Sequence, residues 1–330
     1  MMTYEVFKDV VKERFMEYMP EKYHGMEINT QEVNKVNVTL DGLTLLVGER
    51  GVSPTIYINH MYEKYLETED LQGTLQDAAV QMDKAMKNAP EFDKIDLSAA
   101  KDNIVFQLIN TEQNKEMLEN MPNRPFQDLS IIYRWVVFDD EKGIQSTIIK
   151  NNLAEHLGMD EEQLFKAAVE NTRRIFKPTV KRMDDVIKDI FIKDGMPPEI
   201  AELLKQEIPE QEMLWVISNE KGVNGAITML YEDVLQDVAK QLDSDLYILP
   251  ASVHETIAVS ADNHDPYELA QMVEEINMNE VSLDERLSNQ VYHYDKDLRK
   301  LTMATDTPNK RLDGIVAEPQ LVYDAGGRGR

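Results

Sequence analysis

The sequence predicts an α+β protein, in which antiparallel hairpins are each followed by helices. Three stretches carry that prediction: Glu49-Arg50-Gly51-Val52, Glu141-Lys142-Gly143-Ile144 and Glu220-Lys221-Gly222-Val223. Each comes after a short apolar run, each has Ile five residues beyond its Gly (Ile56, Ile148, Ile227), and each leads into a helix-like segment. A charged pair before Gly, between apolar runs, suits a hairpin turn because Gly takes positive φ without steric cost. A doubly wound fold would instead want βαβ alternation and a Gly-rich loop after its first strand, and that loop is absent. The glycine spacings are unequal and exceed the roughly 20–50 residues of solenoid repeats. Two readings therefore stand: one strand–turn–strand–helix unit used three times, or shared structural grammar.

The elements run in order along the chain. Residues 3–19 read as a helix with Phe7, Val11, Phe15 and Tyr18 on one side, Thr3 as cap and Pro20 as stop. Val33 to Val47 reads as strand, with a turn expected at Asp41-Gly42, and Thr55 to Ile58 returns after Gly51. Leu71, Leu75, Ala78, Met82 and Met86 mark a helix. Ile104 to Ile109 reads as strand, and Ile131–Phe138 with Ile144–Ile149 as a hairpin. Asp160-Glu161-Glu162-Gln163 has the pattern of a capping box, opening a helix that buries Leu164, Phe165 and Ala168. Met183, Val186, Ile187, Ile190 and Phe191 form the next stripe, and Pro197-Pro198 start a short helix. Leu214 to Ile217 is a strand, and Ala226 to Leu230 is expected to return beside it after the Gly222 turn. Tyr231 to Leu242 is a helix, and Leu246–Leu249 and Thr256–Val259 are strands. Asp265-Pro266-Tyr267-Glu268 opens a helix with Leu269, Met272, Val273 and Ile276 facing inward. Val291–Tyr294 and Leu298–Met303 form a terminal hairpin.

This layout divides the chain into an N-terminal α+β unit (1–98), a middle α+β unit (99–209), a C-terminal α+β unit (210–303) and a disordered tail (304–330). The polar stretch from Asn88 to Asp102, with Pro90 inside, serves as the first link. The tail, ending Gly326-Gly327-Arg328-Gly329-Arg330, is Gly-rich and loses periodicity.

Composition narrows the function classes. The net charge of −26 repels phosphate backbones and anionic headgroups, which disfavours nucleic acid as partner. It also admits an acidic DNA-mimic inhibitor, whose carboxylates would line one ridge at phosphate-like spacing. Without cysteine there is no disulfide framework and no thiolate metal site. No apolar run approaches the roughly 20 residues needed to span a bilayer, and Met1-Met2-Thr3-Tyr4-Glu5 does not open as a signal peptide does. The expectation is a soluble cytoplasmic protein with no membrane association.

Chemistry is sparse. Gly-x-Gly-x-x-Gly, the P-loop, His-Glu-x-x-His and Gly-x-Ser-x-Gly are all missing. No cofactor is indicated, and no metal site is assigned. Asp262, His264 and Asp265 offer nitrogen and oxygen near His254, but Asp265 is already accounted for as a helix cap. Of the six histidines, His254 has the most suggestive setting: Ser252, His254 and Glu255 come after Pro250 between two strands. An imidazole beside a carboxylate makes a general-base pair. Strand alternation, however, points His254 and Glu255 to opposite faces. Trp135, Trp215 and Tyr133 lie in strands and read as core.

Five segments carry a resemblance. They are Asp128 to Arg134 (DLSIIYR), Leu164 to Thr172 (LFKAAVENT), Tyr231 to Leu235 (YEDVL), Ser244 to Glu255 (SDLYILPASVHE) and Leu287 to Asp295 (LSNQVYHYD). Together they resemble an uncharacterised bacterial family, domain of unknown function 5688, across residues 3 to about 303. More distantly, the middle segment resembles a second uncharacterised bacterial family with the same hairpin-then-helix order. The resemblance implies a bacterial cytosolic protein and brings no catalytic residue, cofactor or partner. The leading expectation is a non-enzymatic binding or interaction protein whose partner is a protein or small molecule. The alternative is a hydrolase or transferase using His254 with a carboxylate.

Overall fold

The computed structural model describes residues 1–46, 54–88, 97–140, 143–203, 212–306 and 312. The chain divides into two compact units, 1–99 and 100–330. The fold is α+β with antiparallel sheets.

The first unit contains α1 (Tyr4–Tyr18), β1 (Ile28–Lys35), β2 (Val38–Leu45), β3 (Thr55–Tyr57), α2 (Ile58–Thr68) and α3 (Leu71–Asn88). Its sheet runs β1-β2-β3. Phe7, Val11 and Phe15 from α1 meet Leu43, Leu45, Leu75 and Met82 in one core, which places the sequence stripes where amphipathicity requires. Thr3 starts α1 through its carbonyl, which accepts from Phe7 N–H at 3.0 Å, and makes no side-chain cap. The expected turn at Asp41-Gly42 is not there. The chain turns at Val36-Asn37, with Lys35 paired to Val38 and Asn37 at φ 61°. Asn tolerates that left-handed conformation. Gly42 lies inside β2, where a Cβ would come within 2.8 Å of both Thr55 Cγ2 and Val33 Cγ2. Close approach of side chains from both flanking strands, not a bend, is its reason for being Gly. The expected Gly51 turn lies outside the described residues.

The second unit begins with β4 (Ile104–Asn110), α4 (Lys115–Leu118), β5 (Asn123–Phe126), β6 (Leu129–Asp140) and β7 (Gly143–Ile148). Then come α5 (Asn151–Leu157), α6 (Glu161–Ile175), β8 (Pro178–Arg182), α7 (Met183–Lys193), α8 (Pro198–Leu203) and β9 (Trp215–Asn219). A 3-10 segment (Gly225–Leu230), α9 (Glu232–Leu242), β10 (Leu246–Leu249), β11 (Thr256–Ser260), α10 (Pro266–Asn279), β12 (Tyr292–Asp295) and β13 (Lys300–Met303) complete it. β6 is the spine of a four-stranded sheet, pairing β4, β5 and β7. The other sheet has the order β13-β12-β10-β11-β9-β8. The expected boundary near residue 209 lies outside the described residues, while β8, before it, pairs with β9, after it. Of the expected tail, only 304–306 and Leu312 are described, and Ala304 N–H donates to Val291 O at 2.8 Å.

Gly143 opens β7 opposite Asp140, at φ 124°. Gly222 also bends the chain, at φ 64°, with its N–H donating to Asn219 O at 3.1 Å. The strand expected after Gly222 does not form. Ala226 to Met229 are all buried, and the run winds as a 3-10 helix. An apolar run without alternation fits a fully buried turn as well as a strand. The threefold hairpin pattern therefore fails at its third site.

Candidate functional site

The loop from Pro250 to Glu255 joins β10 to β11 and is stitched to the segment after α10. Ser288 N–H donates to Pro250 O and Leu287 N–H to Ala251 O, both at 2.9 Å, while Val253 N–H donates to Glu285 O at 2.8 Å. Beneath the loop, Ser218 Oγ donates to His254 O at 2.7 Å. The loop is thus held from both sides by backbone and hydroxyl groups.

Within it, His254 N–H donates to Ser252 Oγ at 3.0 Å. Asn224 N–H donates to His254 Nδ1 at 3.3 Å. A backbone N–H can only donate, so Nδ1 is the acceptor and the ring proton sits on Nε2. Nε2 lies 3.2 Å from Glu285 Oε1. His254 therefore meets a carboxylate, but it is Glu285, not Glu255. Burial raises the Glu255 carboxyl above its ordinary value, and neighbouring Glu285 adds to this while His254 opposes it. Ser252 is buried, and its hydroxyl accepts from the backbone. The arrangement orients an imidazole, with both of its nitrogens already engaged. Glu285 had no sequence signal, because it sits 31 positions from His254 in a different segment.

His264 Nδ1 lies 2.9 Å from Ser260 O, and Asp265 caps α10 by accepting from Tyr267 N–H and Glu268 N–H. Among the described residues no cluster of three His, Asp or Glu is placed to hold a metal ion. Tyr133, Trp135 and Trp215 are buried in the core, as their strand positions predict.

A second feature lies on the outer end of the six-stranded sheet. A groove of about 490 Å³ runs between α7 and strands β8 and β9. Its floor is Thr179, Lys181, Val216 and Ser218, and its helical wall is Val186, Asp189, Ile190 and Lys193. The apolar stripe of α7 is not interior. No residue of α7 is fully buried, and Ile187 (44%) and Ile190 (51%) are largely exposed. β8 ends the strand order, so α7 has sheet beneath only part of its apolar face. On α8, Ile200 (49%) and Leu203 (83%) are exposed as well. On α10, likewise, Leu269 and Val273 are buried while Met272 and Ile276 are exposed. That stripe is wider than the sheet covers.

The architecture and these two features define a mixed α+β protein with a tethered His–Glu pair and an open apolar groove. Among the described residues, no helix is long and apolar enough to cross a membrane. A family model described as a family of unknown function (DUF5688) matches residues 4–296, and the chain belongs to that family. No curated protein matches the chain. No solved structure matches it either.

Proposed function

We propose that this chain is a non-enzymatic binding protein of the bacterial cytoplasm, and that the groove beside α7 receives an acidic amphipathic segment of a partner protein. The observation that carries this reading is Ile190, half exposed on the groove wall, with Ile187 on the same helix and Ile200 and Leu203 on α8 exposed as well. Exposed apolar surface bordered by polar residues is characteristic of interaction sites. Charge selects the partner. The lining carries Lys181 and Lys193 beside Asp189 and Glu220. Lys181 is matched by Asp189, while among the described residues no carboxylate pairs with Lys193 on the wall, in a chain of net charge −26. An acidic segment with an apolar stripe complements both the groove and its cations.

The test uses two labelled synthetic helices with the same leucine stripe, one with glutamates and one with lysines on the polar face. The acidic helix should bind saturably, weaken with Lys193→Glu and lose binding with Ile190→Glu. Equal binding of the basic helix, or binding indifferent to Ile190→Glu, would sink the reading.

A second reading, a hydrolase or transferase centred on His254, is favoured by its contact with Glu285. It requires a vacant ring nitrogen, and both are engaged. Any turnover that survives His254→Ala would remove it.

A further inference from the structure

Arg134 on β6 sits between Val105 of β4 and Ile148 of β7, its cross-strand partners. Among the described residues its guanidinium meets only neutral groups. Nε donates to Ser146 Oγ at 2.9 Å, Nη2 to Ser146 O at 3.0 Å and Nη1 to Gln107 Oε1 at 3.0 Å. Gln107 is itself buried. Among the described residues no carboxylate pairs with Arg134. Burial pushes the guanidinium below its ordinary value, and no acidic neighbour opposes the shift. A charge taken out of water without a counter-charge is expensive, and buried cations are ordinarily paired. Of the five guanidinium N–H groups, one on each terminal nitrogen has no acceptor among the described residues. The residue retains partial solvent exposure, so the position is reachable.

We propose that Arg134 anchors a binding site for a small aliphatic carboxylate. The guanidinium offers planar donors matched to carboxylate oxygens. One cation among neutral partners is balanced by a monoanion, whereas a phosphate dianion would leave a surplus negative charge in a poorly solvated place. Val105 and Val136 are buried against Phe176, and the apolar surface open to a short hydrocarbon chain comes from Ile144 and Ile148 on β7, partly exposed on the same strand face as Ser146.

The test titrates sodium butyrate into the full chain while the Arg134 Nε–H resonance and the melting temperature are monitored. The expected result is a saturable resonance shift with a rise in melting temperature. Butyramide, the neutral amide of equal length, should produce neither, and phosphate at matched ionic strength should bind about tenfold more weakly or less. Arg134→Met should abolish the butyrate-dependent rise. If that variant does not fold, Arg134→Lys serves, since it keeps the charge, loses the fork and should bind about tenfold more weakly. No saturable shift overturns the site. So does a rise that persists in Arg134→Met, or, where Lys is used, unchanged affinity. Butyramide binding as well as butyrate overturns the role of charge, and tighter phosphate binding overturns the carboxylate assignment.

Discussion

Tyr292, fully buried at the start of β12, donates its hydroxyl to Asp128, which lies 164 positions earlier at the entrance to β6. The same carboxylate accepts from Ser288 Oγ at 2.6 Å. Asn110 Nδ2 donates to Leu287 O nearby, at 3.1 Å. Two of the segments that carry the family resemblance, Asp128 to Arg134 and Leu287 to Asp295, thus meet through a partly buried carboxylate, and they join the four-stranded sheet to the six-stranded one. Tyr292→Phe removes a hydrogen bond to a charged acceptor and should cost about 1.5–3 kcal/mol. Asp128→Ala leaves a buried phenol and a buried hydroxyl without their acceptor and should cost about 2–4 kcal/mol. Urea denaturation of both variants and the double mutant should give a coupling of about 0.5–3 kcal/mol. Simple additivity would mean that the two groups do not act together.

The pH response of that node has a definite sign. Burial raises the Asp128 carboxyl above its ordinary value, and the hydrogen bonds from Ser288 and Tyr292 offset only part of the shift. The folded state then holds the proton more tightly than the unfolded chain does. The associated stability is fully present below the ordinary aspartate value of 3.8 and is lost as pH rises through the higher folded value. The stability of the wild type relative to Asp128→Asn should therefore decline as pH climbs from about 4. A difference that stays flat, or grows with pH, would show that the hydrogen bonds outweigh the burial.

Local signals are legible in the sequence and long-range ones are not. The Asp160 box forms as its spacing predicts, with Gln163 N–H donating to Asp160 Oδ1 at 2.8 Å and Asp160 N–H to Gln163 Oε1 at 2.9 Å. That spacing is fixed by one helical turn, so four residues contain all the information. Asp265-Pro266 is equally self-contained. The run from Ala226 to Leu230 departs from the expected strand: Ala226 to Met229, Thr228 included, are all buried, so the stretch has no in–out period to betray its shape. The α7 stripe shows its period correctly, but period alone does not say how much sheet lies underneath. At the candidate site, Ser252 and His254 are visible as a loop between strands. Glu285 and Asn224, which set the imidazole's state, come from separate segments and carry no motif.

The state of His254 is itself measurable. Because Asn224 N–H points at Nδ1, the neutral ring should be the Nε2–H tautomer, with that proton directed to Glu285. Long-range nitrogen–proton correlation spectra distinguish the two tautomers directly. Glu285→Gln should leave the tautomer unchanged, because the Asn224 contact survives. A dominant Nδ1–H form would contradict the geometry and free Nε2 as an acceptor, restoring the case for a base.

Two glycines near this loop should respond to alanine for opposite reasons. At Gly225 a Cβ would land on His254 O and Ser218 Oγ, and 3.0 Å from Ser218 Cα. The hydroxyl can rotate, but a carbonyl held in a tethered loop cannot move without taking His254 with it. Gly225→Ala should therefore cost about 1–3 kcal/mol by overpacking and shift the His254 ring resonances. Gly222 has open space around it, with nothing within 4 Å of a built Cβ, but its φ is +64°. Gly222→Ala should cost about 1–2 kcal/mol through backbone strain alone and leave His254 undisturbed. Gly222→Asn should recover part of that loss, since Asn enters the left-handed region more readily. Unperturbed His254 resonances in Gly225→Ala would mean that Gly225 does not support the loop. A shift of the same size in Gly222→Ala would mean that the bend after β9, and not the close approach beneath His254, sets the position of the ring.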